Sequence, residues 1–216
     1  MSWSLRTPWL RARQAAWRRR ADEGGELLYV AIGDSAAQGI GARMPAGYVS
    51  RLAERLDRLS GRSVRTVNLS RYGARLDDAI AEQLPRLAAL EREPDMLTVA
   101  IGANDMRRFD ADAFAASFDM LLAGLPRHAI VADVPCFHVG PRELDAVVAS
   151  RVIEARVRAA GLVFAPLHRV TEVRRGWGSF PEFAWDQFHP SALGYRVWES
   201  AFAGAVNRRA KQLRHR

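Results

Sequence analysis

Along the 216-residue chain, short apolar runs alternate with longer stretches in which apolar residues recur every three or four positions. Leu27-Leu28-Tyr29-Val30-Ala31-Ile32 is too short for a typical helix and rich in β formers, so it predicts a buried strand. Tyr48, Val49, Leu52, Leu56 and Leu59 then follow helical spacing as far as Ser60-Gly61. Val64 to Leu69 predicts a second strand. Leu76, Ile80, Leu84, Leu87 and Leu90 predict an amphipathic helix in which Pro85 demands a kink or an offset start. The pattern repeats with a strand over Met96–Ile101, a helix over 112–125, a strand over 129–134, a helix over 141–160 and a short strand at 162–164. An irregular, aromatic-rich loop from Thr171 to Phe188 precedes a closing helix from Ser191 to about Leu213. Such alternation predicts an α/β three-layer sandwich, a parallel sheet with helices on both faces and right-handed crossovers. The chain shows no internal repeat and no low-complexity segment. It reads as one domain over 26–207, flanked by a basic leader (1–25) and a basic tail (208–216).

Composition narrows the class. Hydrophobic residues make up 49%, which excludes a disordered chain. No apolar run approaches the length of a membrane span. Trp3, Leu5, Trp9 and Leu10 are scattered among arginines, so no signal-peptide core is expected. The single cysteine, Cys136, excludes an internal disulfide and fits a reducing compartment, so a cytoplasmic location is expected.

The charge matters once it is located. Residues 1–20 carry six arginines and residues 207–216 carry five basic residues, neither with an acid, so the +8 net charge leaves the body at −3. Specific nucleic-acid binding is therefore not expected. The basic ends are either solvated termini or a peripheral contact with anionic membrane, and the leader is otherwise expected to pack on the domain or to be disordered. In the leader, Pro8 is suited to start a helix whose Trp9, Leu10, Arg13 and Trp17 share a face, before Gly24-Gly25 ends it.

The candidate chemistry gathers where strands end. Ser35 follows the first strand in Gly33-Asp34-Ser35, a sharp strand-to-helix turn that lifts Oγ off a sheet, although the same tripeptide also makes plain turns. Gly73 follows the second strand and Asn104 the third, in Gly102-Ala103-Asn104-Asp105; each could equally serve its own turn. Of five histidines, only His189 has an acid, Asp186, three residues before it. That spacing lets the carboxylate hold one imidazole nitrogen while the other faces a serine. Asp34 and Asp105 read as structural hydrogen-bonding groups, and His128, His168 and His215 as surface or loop residues. Cys136 and His138 lack an orienting acid and are too small a set for zinc, so neither a metal nor a cofactor is expected.

Four blocks in order carry a resemblance: Gly33-Asp34-Ser35, Asn68-Leu69-Ser70 with Gly73, Gly102-Ala103-Asn104-Asp105, and Asp186 with His189-Pro190. Together they resemble the SGNH hydrolase superfamily, the GDSL-type esterases and lipases, over about residues 27–205. Ala36 departs from that family's leucine. The resemblance implies a flavodoxin-like sheet of order 2-1-3-4-5. It also implies a triad of Ser35, Asp186 and His189, with an oxyanion hole from the Ser35 and Gly73 N–H groups and the Asn104 amide. In that order the loops bearing Ser35 and Asn104 become neighbours at the switch point. The expected activity is serine ester hydrolysis through an acyl-enzyme on a small-molecule ester. An acyltransferase or carbohydrate O-deacetylase would use the same triad, and a non-catalytic flavodoxin-like module is the reading from a different class. Trp177, Phe180, Phe183 and Trp185 either line the substrate pocket or form local core.

Overall fold

The computed structural model describes residues 3–138, 140–174 and 177–214, and of residues 3–7, 177 and 178 the backbone alone. The first strand, β1 (Leu27–Gly33), lies between β2 (Val64–Asn68) and β3 (Met96–Ala100), with β4 (Ile130–Ala132) and β5 (Val163–Ala165) beyond. All neighbours run parallel in the order β2-β1-β3-β4-β5. The register sets Ala31 beside both Asn68 and Thr98, so the loops leaving β1, β2 and β3 emerge at one edge.

Alternation along β1 sorts the two cores. Leu27, Tyr29 and Ala31 face one side, where they join α2 (Tyr48–Ser60) and α8 (Ala192–Arg214) through Leu52, Leu56, Phe202 and Val206. Leu28, Val30 and Ile32 face the other, against α5 (Ala111–Ala123) and α6 (Pro141–Ala159) through Phe118, Leu121, Ile153 and Val157. A strand buried on both faces has no polar alternation, which is why β1 reads as a continuous apolar run.

Three segments refine the expectation. The helix expected from Leu76 is α3 (Leu76–Asp78), a π-helical turn (Ala79–Gln83) and α4 (Leu84–Ala88), with Pro85 in the first turn of α4 where its missing N–H costs nothing. The basic run from Arg208 continues α8 to Arg214, next to the helix end expected at about Leu213, because Ala210 and Leu213 are buried and hold the last turns down. There Arg209 Nε donates to the Asp95 carbonyl. His215 and Arg216 lie outside the described residues.

The leader is the third such segment. Helix α1 (Trp3–Asp22) encloses Pro8 instead of starting at it, and packs on the domain. Trp17 is buried with its indole N–H donating to the Gln38 carbonyl at 3.1 Å, and Arg13 is buried with Nη2 donating to the Ala42 carbonyl at 2.5 Å. Arg20 Nη1 donates to Ser50 Oγ at 2.8 Å, and Arg65 Nε reaches the Ala21 carbonyl at 2.7 Å. Arg13 and Trp17 are thus engaged with the protein and are not presented to a lipid surface; Trp9 remains exposed. The Trp3 side chain lies outside those described. Among the described residues, no helix is long and apolar enough to cross a membrane.

Removing the Trp17 ring leaves a cavity between α1 and the segment after Ser35. Trp17→Ala should lower unfolding free energy by about 3–5 kcal/mol, measured from urea denaturation midpoints. A loss within 0.5 kcal/mol, the usual range for surface positions, would mean that α1 does not belong to the cooperative unit.

Candidate active site

The site begins where β1 runs out. Gly33 leaves no room for a side chain: a Cβ there would meet the Ala100 carbonyl oxygen at 2.6 Å and Ala37 Cβ at 2.8 Å. Its N–H donates to Gln83 Oε1, and Gln83 Nε2 donates back to the Gly33 carbonyl, both at 2.9 Å. The chain then coils tightly, with Gln38 N–H donating to the Asp34 carbonyl and Ile40 N–H to the Ser35 carbonyl. This coil presents the serine, and α2 starts at Tyr48, where the helical spacing begins. Two ties hold it to the end of β2: Asn68 Nδ2 donates to the Ala37 carbonyl at 2.8 Å, and Gln38 Nε2 to the Ser70 carbonyl at 2.9 Å.

The segment expected to be an irregular loop is largely ordered. Among its described residues, it begins in the last turn of α7 (Leu167–Glu172) and goes on through a 3-10 turn (Trp177–Glu182) and a tight return over Phe183–Pro190. A bridge between Phe183 and Pro190 closes that return, with Ala184 N–H donating to the His189 carbonyl at 2.8 Å. Gln187 adopts a left-handed φ of 53° at its tip. The bend sets Asp186 beneath His189: Asp186 Oδ1 accepts from the backbone N–H of Phe188 and His189, and Oδ2 meets Nδ1 at 2.6 Å. With Nδ1 donating to the carboxylate, Nε2 is the acceptor, 2.9 Å from Ser35 Oγ. Gly41 lets the two loops close, since a Cβ there would meet the Pro190 carbonyl at 2.5 Å and His189 Cβ at 2.9 Å, and its φ is +96°.

Electrostatics favour this polarity. Burial works against ionisation of Asp186, but the hydrogen bonds from the His189 ring and from the two backbone N–H groups outweigh it and hold the carboxyl below its usual value. Asp34 is the opposite case. It is buried with Oδ1 accepting from Ala36 N–H, and burial pushes its pKa up to about 7. Asp105, which accepts from Leu76 N–H, is pushed up to about 6 by the same cause.

Asn104 stands across from Ser35 in the same cavity of about 1000 Å³. Its Nδ2 donates to the Ala74 carbonyl at 2.9 Å and to Asp34 Oδ2 at 3.3 Å. Gly73, at φ +71°, lies beside the cavity rather than in its lining, next to Tyr72, whose ring sits 5.9 Å from that of His189. Phe180, Phe183 and Trp185 line the cavity, with Phe180 and Trp185 exposed at 61% and 73%. The Trp177 side chain lies outside the described residues. The structure therefore gathers Ser35, His189 and Asn104 at one cavity, with Asp186 bonded to the far side of the His189 ring.

A model of the GDSL-like lipase/acylhydrolase family matches residues 31–197. The chain belongs to that family. This makes it a carboxylic ester hydrolase. Among solved structures, this GDSL-family chain is similar to LAE5, an alpha/beta hydrolase enzyme from the metagenome of Lake Arreo, Spain, at 22% identity and TM-score 0.70, covering 85% of this chain and 96% of that one. It is also similar to Axe2, an acetylxylan esterase from Geobacillus stearothermophilus, at 21% identity and TM-score 0.67, covering 85% and 95%. These likenesses show a common fold. No curated protein matches the sequence.

Several working residues escaped the sequence reading. Gln83 occupies the apolar stripe of its helix, and a polar residue on such a stripe was the available signal. Gln38 and Gly41 gave none, since their partners are distant in sequence. His168, expected at the surface, is buried, and Cys136 meets Glu143 instead of pairing with His138, whose ring packs edge-on against Phe183 at 5.3 Å.

Asp34 gives this site a pH signature. A carboxyl raised from about 3.8 to about 7 makes a contribution to stability that is full below pH 4 and lost as pH rises to 7. The Tm difference between the wild type and Asp34→Asn should therefore be more favourable to the wild type at pH 5 than at pH 8. Equal differences at the two pH values would contradict a buried, proton-holding Asp34.

Proposed function

We propose that the protein hydrolyses its ester through an acyl-enzyme on Ser35. The observation that carries this is the continuous line Ser35 Oγ, His189 Nε2, His189 Nδ1, Asp186 Oδ2, with separations of 2.9 and 2.6 Å. Ser35 Oγ attacks the ester carbonyl as its proton passes to His189 Nε2, and Asp186 stabilises the imidazolium that forms. The tetrahedral intermediate expels the alcohol, which takes the proton from His189. Water then gives a proton to His189 and attacks the acyl carbonyl, and Ser35 leaves with the proton restored. Catalytic variants of the Geobacillus acetylxylan esterase replace a serine, an aspartate and a histidine, the last two three residues apart, which supports the same division of labour.

The oxyanion is assigned to the Ser35 and Gly73 N–H groups and to Asn104. The Asn104 bond to Ala74 fixes the amide, and its long second bond to Asp34 is the one that a developing oxyanion displaces. Since that exchange improves as negative charge builds, Asn104 acts chiefly in the transition state.

Carbohydrate O-deacetylation is the favoured specialisation. Trp185 and Phe180 offer exposed aromatic faces at the rim of a cavity far larger than an acetyl group requires, which suits a bulky alcohol carrying a small acyl group. Axe2 is an acetylxylan esterase, which supports this choice.

Ser35→Ala should abolish hydrolysis of p-nitrophenyl acetate with the far-ultraviolet circular dichroism unchanged. Asn104→Ala should lower kcat by about 10²–10³ with little change in KM. Wild-type turnover in Ser35→Ala would remove the mechanism, and a pure KM effect would make Asn104 a binding residue. Acetylated xylo-oligosaccharides should be cleaved faster than p-nitrophenyl laurate; the reverse order would favour a lipase.

A further inference from the structure

Apart from the Ser35–His189–Asp186 line, one buried cluster of mixed donors takes no part in the proposed hydrolysis. Cys136 follows β4, Glu143 stands in the first turn of α6 and His168 stands in α7, so three separate elements meet there. Their exposures are only 5%, 6% and 7%. Glu143 Oε1 lies 3.4 Å from Cys136 Sγ and 3.4 Å from His168 Nε2, and all three donor atoms fall within 4.8 Å of one another. A tetrahedral zinc ion, with bonds of about 2.3 Å to sulfur and about 2.0–2.2 Å to nitrogen and oxygen, separates its ligand atoms by roughly 3.3–3.6 Å. Two of the three spacings already match.

The surrounding groups orient the donors in the manner of a second coordination shell. Phe137 N–H donates to Glu143 Oε2 at 2.6 Å, which leaves Oε1 turned to the other two residues. Cys136 Sγ accepts from His138 N–H at 3.2 Å, which fixes the sulfur's place at the end of the loop after β4. His168 Nδ1 faces the Glu172 carboxylate at 4.0 Å, while its backbone N–H donates to Asp133 Oδ1 at 2.8 Å. His168 Nε2 is buried and makes no hydrogen bond, meeting Glu143 only at 3.4 Å. A buried polar atom without a hydrogen bond is costly, and a cation at this point would satisfy it.

We infer that Cys136, Glu143 and His168 form a binding site for one divalent transition-metal ion, zinc foremost, which ties the cavity wall at Cys136 and Phe137 to α6 and α7. Thiolate and imidazole donors with a single carboxylate select a borderline-soft ion over magnesium or calcium. A thiolate and a carboxylate neutralise the double charge, and three protein donors leave the fourth position to water. The site revises the expectation of no metal, yet it asks nothing of the ion in ester hydrolysis. It shapes the wall of the cavity, because Cys136 and Phe137 both line it.

The test reads metal binding, so it stands or falls apart from the hydrolytic mechanism. The full chain, stripped with chelator under reducing conditions, is titrated with Co²⁺ and then Zn²⁺. One equivalent of Co²⁺ should give a thiolate-to-cobalt charge-transfer band that Zn²⁺ removes, and Zn²⁺ should raise the Tm. Cys136→Ser should lose the band, and His168→Asn should weaken Zn²⁺ binding at least tenfold, whereas Ser35→Ala should bind as the wild type does. Absence of stoichiometric uptake by the wild-type chain would overturn the inference, whatever the variants do. Uptake unchanged in both Cys136→Ser and His168→Asn would place the ion elsewhere and overturn it equally.

Discussion

The site depends on how the backbone at Gly33 is held. At the end of a parallel sheet a strand's last peptide groups run out of neighbours, and buried polar groups without partners are expensive. Gln83 supplies both a donor and an acceptor to Gly33, at 2.9 Å each. A π-helical turn over Ala79–Gln83 carries this side chain, and such turns recur at functional sites because one extra residue re-aims the chain. With Gly33 fixed, the coil that follows has its start defined; Asn68 braces it from β2 and Trp17 and Arg13 from α1, and its own Gln38 reaches the Ser70 carbonyl. Ser35 Oγ is therefore placed before any substrate arrives, as catalysis by orientation requires.

The second loop is built by a different device. Asp186 to His189 form a bend in which the Phe188 and His189 N–H groups saturate one carboxylate oxygen and leave the other for the imidazole. Ionisation of Asp186 and the tautomer of His189 thus follow from one short segment. Gly41 and Pro190 then bring that segment against the Ser35 coil, where even a methyl group would hold them apart. Asp34 offers a contrast: it ends in almost complete burial and keeps its proton to near neutrality, the environment of a structural acceptor rather than of a catalytic base.

The sheet was legible because its strands are unambiguous. A run such as Leu27–Ile32 admits one interpretation, and its strand order follows from the blocks that it shares with a known family. Asp186 and His189 were legible because they are neighbours in sequence. The parts that were not legible depend on contacts between distant segments. Nothing local shows that Trp17 closes over Gln38 or that Cys136 will find Glu143 and His168. The leader's six arginines and three tryptophans left a membrane surface and packing on the domain both open, and only contacts with distant segments show Arg13 and Trp17 buried against the domain.

The claim on which everything else rests is that Ser35 is a nucleophile activated by His189. Intact-mass analysis after brief exposure to a fluorophosphonate tests it without reference to any natural substrate. One adduct should form per chain and map to Ser35 on peptide sequencing, and His189→Ala should label far more slowly than the wild type. An unlabelled chain, or a modification on any residue other than Ser35, would contradict it.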